Sequence, residues 1–457
     1  MLDLIIKNGR IINADGELTA DLAIKDGTIV EIGRAEFFPP AVKVVDAAGL
    51  LVLPGMIDSH AHIHSYTSED ACSLDNYNNA SIAAAYGGTT SIIDFALPSR
   101  TETPAQAMEK KLKEVQGECV INYSFHSGLN RNDEQCLDDI RQLRRDGFPS
   151  VKIFTIYRNN LMLDKPGTLA VMRDAAKDGG LVMIHAECAE LVEHNIAQAI
   201  AHGKTSPRDH ANCRPVVTEL EAMSSILTMQ RKTGAPILFA HMTTGQAGEL
   251  LRGQNHRRVF TEVCPHYLTL TDEVYDREDA YKFVCSPPIR SLKEREGLWK
   301  LIADGYVDIV NSDHTDYSIA QKVASKDYFP KIPNGLPTLE TRGVALWSEG
   351  VAKGRITPSR FVELTSAKTA RLMGLYPRKG VIQVGADADI VLFDPDFKKV
   401  HTITDLHMQT DYTPYEGLEF TGRVVDTIIG GHLVIEQGAY VHSDFRGTLL
   451  KRSTFES

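Results

Sequence analysis

Hydrophobic positions along the chain fall in two textures. Over residues 1–52 short apolar runs alternate with turn signals, Asn-Gly in LIIKNGRIIN and Asp-Gly in DLAIKDGTIVEIG. Such pairs favour tight hairpin turns, so this stretch predicts a small antiparallel β-unit. From residue 53 the texture changes. Eight short apolar runs recur: GMIDSHAH, TTSIIDFA, NYSFHSG, SVKIFTIY, LVMIHAE, PILFAHM, RRVFTEVCPH and VDIVNSDH. Between them lie segments of helical periodicity, such as DEQCLDDIRQLRRDG (133–147) and TELEAMSSILTMQRKTG (218–234). Strands alternating with helices predict an α/β fold, a (β/α)8 TIM barrel over 53–375. An open doubly wound sheet is the alternative, but no GxGxxG follows an early strand. Over 376–457 the β texture returns in KGVIQVGADADIVLFDP and GRVVDTIIGGHLVIEQGAYV. The two chain ends are expected to pair into one β-domain beside the barrel. Residues 315–335 lack periodicity and are long for a loop, which points to a lid or a disordered segment.

Composition narrows the function classes. The chain has 49 Lys and Arg against 60 Asp and Glu, a net charge of −11, and no basic tract. That argues against a nucleic-acid surface. No apolar run approaches the ~20 residues of a membrane span. MLDLIIKNGR lacks the basic and apolar regions of a secretory leader, so a cytoplasmic protein without membrane contact is expected. The seven cysteines are scattered without a CxxC, which fits reduced thiols better than a disulfide framework.

The candidate chemistry falls at strand ends. PGMIDSHAHIHS places His60, His62 and His64 at alternating positions. Strand geometry puts His60 and His62 on one side. The fourth run carries Lys152, the fifth ends in His185, the sixth in His241 and the eighth in Asp313. Barrel sites form at the C-terminal ends of strands, so these positions converge on one mouth. A lone histidine after an apolar run is usually a core or surface residue. Five candidate ligands on four strand ends outweigh that reading. Four imidazoles and a carboxylate suit Zn²⁺, with Mn²⁺, Fe²⁺ and Co²⁺ as alternatives. His64 falls past the strand end and is left out of the set. His266 and His314 are candidates for groups that orient ligands or substrate, while His126 reads as structural. Lys152 is the odd member. An ammonium facing metals is repelled or loses its proton, and residue physics alone favours a side chain snorkelling outward.

PGMIDSHAH, SVKIFTIY, MIHAE, FAHM, CPHYL and NSDH, in that order, resemble the cyclic amidohydrolases of the amidohydrolase superfamily. The nearest group is the dihydropyrimidinase/hydantoinase family, D-hydantoinase-like enzymes in particular, and the resemblance runs from LIIKNGRI to GADADIVLFDP. It implies a β-sandwich built from both chain ends and two Zn²⁺ bridged by an N6-carboxylated Lys152. Carboxylation turns the ammonium into an anion, which removes the electrostatic objection. His60 and His62 with Asp313 would hold one metal, His185 and His241 the other. The resemblance further implies Tyr157 as oxyanion donor, Asp313 as proton carrier, and Ser286 (CSPPIR) and Asn334 (NGLP) as substrate-binding groups. The implied reaction opens the ring amide of hydantoins or dihydropyrimidines to N-carbamoyl amino acids, by a hydroxide shared between the metals. The implied partners are a small cyclic amide and three further copies in a homotetramer, with RGTLLKRSTFES as an assembly tail. HSYTSEDACSLDNY departs from the MPFGG-like segment of the family, which leaves the ring substituent and its handedness open. Allantoinase is the alternative within the superfamily, and Tyr157 argues against it. A non-enzymatic scaffold is the alternative outside it, and the filled ligand positions argue against that.

Overall fold

The computed structural model describes residues 1–68, 71–255 and 257–455. All eight apolar runs form parallel strands that pair in chain order. We label them β1 (Met56–Ala61), β2 (Thr89–Ala96), β3 (Asn122–Gly128), β4 (Ser150–Phe154), β5 (Leu181–His185), β6 (Ile237–Phe239), β7 (Val259–Val263) and β8 (Ile309–Val310). The ring closes just beyond β8. There His314 bridges Ala61 in parallel, and the His62 N–H donates to the His314 carbonyl over 2.8 Å. Every residue of β4, β5 and β7 is buried, as expected when helices cover one face of a parallel sheet and side chains fill the other. The predicted helices form over Glu134–Arg145 and Val216–Thr233. The first is capped by Asp133, whose side chain accepts from the Cys136 N–H over 3.1 Å. It buries Cys136, Leu137, Ile140 and Leu143, one helical face, against the barrel.

Strands from both chain ends share a seven-stranded sheet, in which Leu51–Pro54 pairs antiparallel with Ile390–Val400. A four-stranded sheet joins Leu2–Lys7, Asp21–Lys25, Thr28–Gly33 and Ala41–Asp46. Leu4, Ile24, Val52, Ile390 and Ile428 pack in one core between the two sheets. The two turn signals behave differently. Asp26-Gly27 makes the expected antiparallel hairpin, with φ of 49° and 75°. Asn8-Gly9 does not: it passes the chain from one sheet to the other, and Leu2–Lys7 and Arg10–Asn13 each pair in parallel with later strands. A Cβ at Gly9 would collide with Val52, so the close approach of the two sheets requires glycine there.

Residues 315–335 are built rather than loose. Ser318 and Gln321 form a capping box at the helix Ile319–Val323, and a single 3-10 turn spans Phe329–Lys331. Tyr317 and Phe329 are buried. Residues 447–455 run across the floor of this chain's own barrel, at the N-terminal ends of β3–β5. Leu449 bridges Tyr123, the Arg452 N–H donates to Gly147 O over 3.0 Å, and the Phe455 N–H donates to Gly179 O over 2.8 Å. The Arg452 side chain is buried beneath β3 and β4, donating to Phe125 O (2.6 Å), Ser124 Oγ (3.0 Å) and Ser150 Oγ (2.8 Å). Among the described residues no helix is long and apolar enough to cross a membrane.

Candidate metal centre and active site

At the top of the barrel a cavity of ≈1260 Å³ opens over the strand ends, and His60, His62, Lys152, His185, His241 and Asp313 all line it. Tyr157, Ser286 and Asn334 line the same cavity. The structure thus brings every sequence-derived metal-ligand and substrate candidate to one mouth.

The arrangement at β1 calls for a cation. The His60 Nδ1–H donates to Glu262 Oε1 over 2.6 Å, which leaves Nε2 with its lone pair outward. That lone pair faces Asp313 Oδ1 at 3.0 Å, and His62 Nε2 lies 3.3 Å from the same oxygen. Ligand atoms of His60, His62 and Asp313 lie within 4.8 Å of one another. Three electron-pair donors this close repel unless a positive charge sits among them. The donor set therefore fits a divalent metal.

The second half lies next to the first. His185 and His241 have ring centres 4.5 Å apart, and His241 lies 5.4 Å from His60. The His185 Nε2–H donates to Glu187 Oε2 over 2.7 Å, leaving Nδ1 as its free donor atom. His241 Nδ1 is buried without a hydrogen-bond partner among the described residues. Lys152 stands between the halves, fully buried, with Nζ 3.4 Å from His60 Nε2. It does not snorkel outward, and Phe95 and Phe154 lie 5.1 and 5.2 Å from its ammonium. Burial pushes the Lys152 ammonium down to about 8, so an appreciable share is free amine at neutral pH.

Substrate-facing groups complete the mouth. Ser286 Oγ donates to Asn334 Oδ1 over 2.8 Å. Burial raises the Tyr157 phenol, which therefore keeps its proton as a hydrogen-bond donor. Tyr157, His241 and Asp313 adopt φ of 69°, 37° and 49°. Such left-handed conformations cost non-glycine residues about 1–3 kcal/mol each and concentrate at functional sites. The first two are held by named bonds: the Asn160 and Met162 N–H groups donate to Tyr157 O, and the His241 N–H donates to Glu262 Oε1 over 3.0 Å.

The other histidines divide. His64 pairs with Glu114 and stays outside the ligand group. His126 is structural: Ser150 Oγ and Ser59 O take its two ring nitrogens at 2.6 and 2.9 Å. His266 lines the cavity, and neither ring nitrogen has a partner among the described residues. His314 forms a second buried group with Asp75 and Asp316, its Nε2 lying 3.5 and 3.6 Å from their oxygens. This group is not arranged for a metal. The Thr338 and Leu339 N–H groups donate to His314 Nδ1 at 3.2 and 3.3 Å, so the ring proton sits on Nε2 and faces the carboxylates.

Sequence reasoning missed the groups that orient the ligands. Glu262 on β7 receives His60, the His241 N–H and the Asn311 side chain (2.6 Å). Glu187 binds His185 and also Arg214 at 2.5 Å. The available signal was a single carboxylate inside the apolar run VFTEV and another two residues after His185. Partners of this kind fix the tautomer and aim of a ligating histidine. Glu262→Gln is expected to lower metal affinity by about 10–100-fold while the chain stays folded, read by competitive metal titration. Unchanged affinity would remove Glu262 from that role. The hydrogen bonds continue downward. Asn311 contacts Ser59, Ser59 contacts His126, His126 contacts Ser150, and Ser150 contacts Arg452 of the tail.

Fold and site together define a barrel hydrolase whose donor atoms gather at strand C-termini. The chain belongs to the amidohydrolase family, whose model matches residues 51–434. It is 37% identical over 460 residues to a D-hydantoinase of Ralstonia pickettii, covering 100% of both chains. Among solved structures it matches a D-hydantoinase with a TM-score of 0.96 at 37% identity, and a dihydropyrimidinase from Brevibacillus agri with a TM-score of 0.97 at 34% identity. Each match covers 100% of both chains.

Proposed function

We propose that this chain hydrolyses cyclic amides, opening the ring amide of hydantoins and dihydropyrimidines to N-carbamoyl amino acids. The observation that carries this reading is the convergence of His60, His62, Lys152, His185, His241 and Asp313 on one cavity, in a chain similar over its full length to a D-hydantoinase. The residues fit two Zn²⁺ bridged by N6-carboxylated Lys152, with Mn²⁺, Fe²⁺ and Co²⁺ as alternatives. Such a pair, when bound, supplies hydroxide at neutral pH and polarises a carbonyl.

The chain's own groups do the rest. Tyr157 donates to the oxygen that gains charge when water adds to the ring carbonyl. Asp313 takes a proton from that water and returns it to the leaving ring nitrogen, so the C–N bond breaks with water added across it. Ser286 and Asn334 hold the remaining imide edge of the ring. Tyr157→Phe is expected to cut kcat by about 10²-fold or more. A variant with normal kcat would remove Tyr157 from the step.

The reading is tested by assaying metal-quantified protein on dihydrouracil, both enantiomers of a 5-substituted hydantoin, and allantoin. Two metals per chain with turnover of the first two classes support it, and cleavage of allantoin alone overturns it. The seven cysteines are all free, which favours a reducing compartment, and we take the cytoplasm as the location. A homotetramer is the proposed assembly by family resemblance.

A further inference from the structure

Lys322 stands apart from the metal ligands, on the short helix Ile319–Val323, with its side chain fully buried. Its ammonium donates to Val284 O over 2.9 Å and to Pro333 O over 3.0 Å. No carboxylate compensates it among the described residues, and burial pushes its amine down to about 7. The Tyr317 ring lies 5.9 Å away. A buried cation without an ion partner is costly, so the two carbonyls that solvate it show what it holds.

Those carbonyls belong to the two segments that carry the proposed substrate groups. Val284 lies two residues before Ser286, and Pro333 directly before Asn334. Val284 O also accepts the Gly335 N–H over 3.1 Å, and the His210 Nε2–H donates to Cys285 O over 2.9 Å. Three carbonyls of the two segments are thus engaged by Lys322, Gly335 and His210. The Ser286 and Asn334 N–H groups make no backbone hydrogen bond among the described residues. Both residues line the cavity, and Ser286 Oγ meets Asn334 Oδ1.

We propose that Lys322 is a positioning residue for recognition of the ring imide. Its Nζ–H groups, donating to Val284 O and Pro333 O, lock the 284–286 and 333–335 segments in register. Through Pro333 O it also withdraws electron density from the Pro333–Asn334 peptide, which makes the Asn334 N–H a stronger donor to a ring carbonyl. The ligand class this favours is a ring whose carbonyl is flanked by N–H, a cyclic imide or ureide. The inference rests on the function proposed above.

The test compares wild-type protein with Lys322→Met and Lys322→Arg on dihydrouracil and hydantoin. For Lys322→Met, KM is expected to rise about tenfold or more with kcat nearly unchanged and metal content intact, the signature of lost uniform binding. Lys322→Arg, which keeps the charge and donors, is expected to recover part of that KM. If the methionine variant does not fold, the arginine variant must still show a KM raised out of proportion to kcat. A folded, metal-loaded Lys322→Met with wild-type KM overturns the proposal. So does a loss of kcat and metal together at constant KM, which would make Lys322 a support of the metal centre instead. Wild-type protein that opens neither ring overturns the functional reading. In that case the separation of Ser286 and Asn334 in a Lys322→Met crystal structure decides the positioning role, and an unchanged pair ends it.

Discussion

Lys152→Ala is expected to lose bound metal and ring-opening activity together. Lys152 lies in the middle of β4, fully buried and 3.4 Å from His60 Nε2. As an ammonium it would repel metals placed at the two histidine pairs. As a carboxylated amine it would add an anion between them. Burial lowers it to about 8, and the free amine is the form that adds CO₂. Alanine could supply neither that anion nor oxygens to bridge. Losing metal-supplied hydroxide and carbonyl polarisation is worth several kcal/mol, roughly 10³-fold or more in kcat/KM. Metal analysis and kinetics on the same preparation check this. Restored activity on adding a short-chain carboxylic acid would support the bridging role. An unmodified Lys152 mass in active, metal-loaded protein, taken under conditions that preserve carbamates, would sink it.

Asp313→Asn carries the second large effect. The substitution keeps shape and removes the charge that faces His60 and His62 at 3.0 and 3.3 Å. It also removes the proposed proton carrier. General acid–base groups contribute about 10²–10⁴-fold, so kcat is expected to fall by that much at constant protein stability. A thermal melt alongside the kinetics separates this from unfolding, and a normal kcat in the folded variant would exclude Asp313 from the proton path.

The barrel was legible because its strands are short, apolar and evenly interrupted, and because histidines and Asp313 follow those runs in a pattern a packed core has no use for. Lys152 was not legible from residue physics. Its depressed ammonium depends on burial that the local sequence does not reveal, and the family resemblance alone pointed to a bridge. Glu262 escaped because its significance comes from His60, 202 residues away. Lys322 escaped for the same reason, since its carbonyl partners sit on segments before and after it. Asn8-Gly9 reads as a hairpin in any local window. Only the neighbouring strands Ala41–Asp46 and Leu51–Pro54, beyond any local window, send its two sides to different sheets.

The floor of the barrel has a consequence for biogenesis. Every candidate ligand, from His60 to Asp313, has been translated before Arg452 exists. Until the 447–455 segment arrives, Ser124, Phe125 O and Ser150 lack the guanidinium that occupies the underside of β3 and β4. Ser150 is also the last link in the hydrogen-bonded line that reaches Glu262 and His60. Domains consolidate as units once their contacts are available, so the base beneath the candidate pocket is complete only once the tail has been made. A chain cut short of Arg452 would carry all its ligands over an unfinished base.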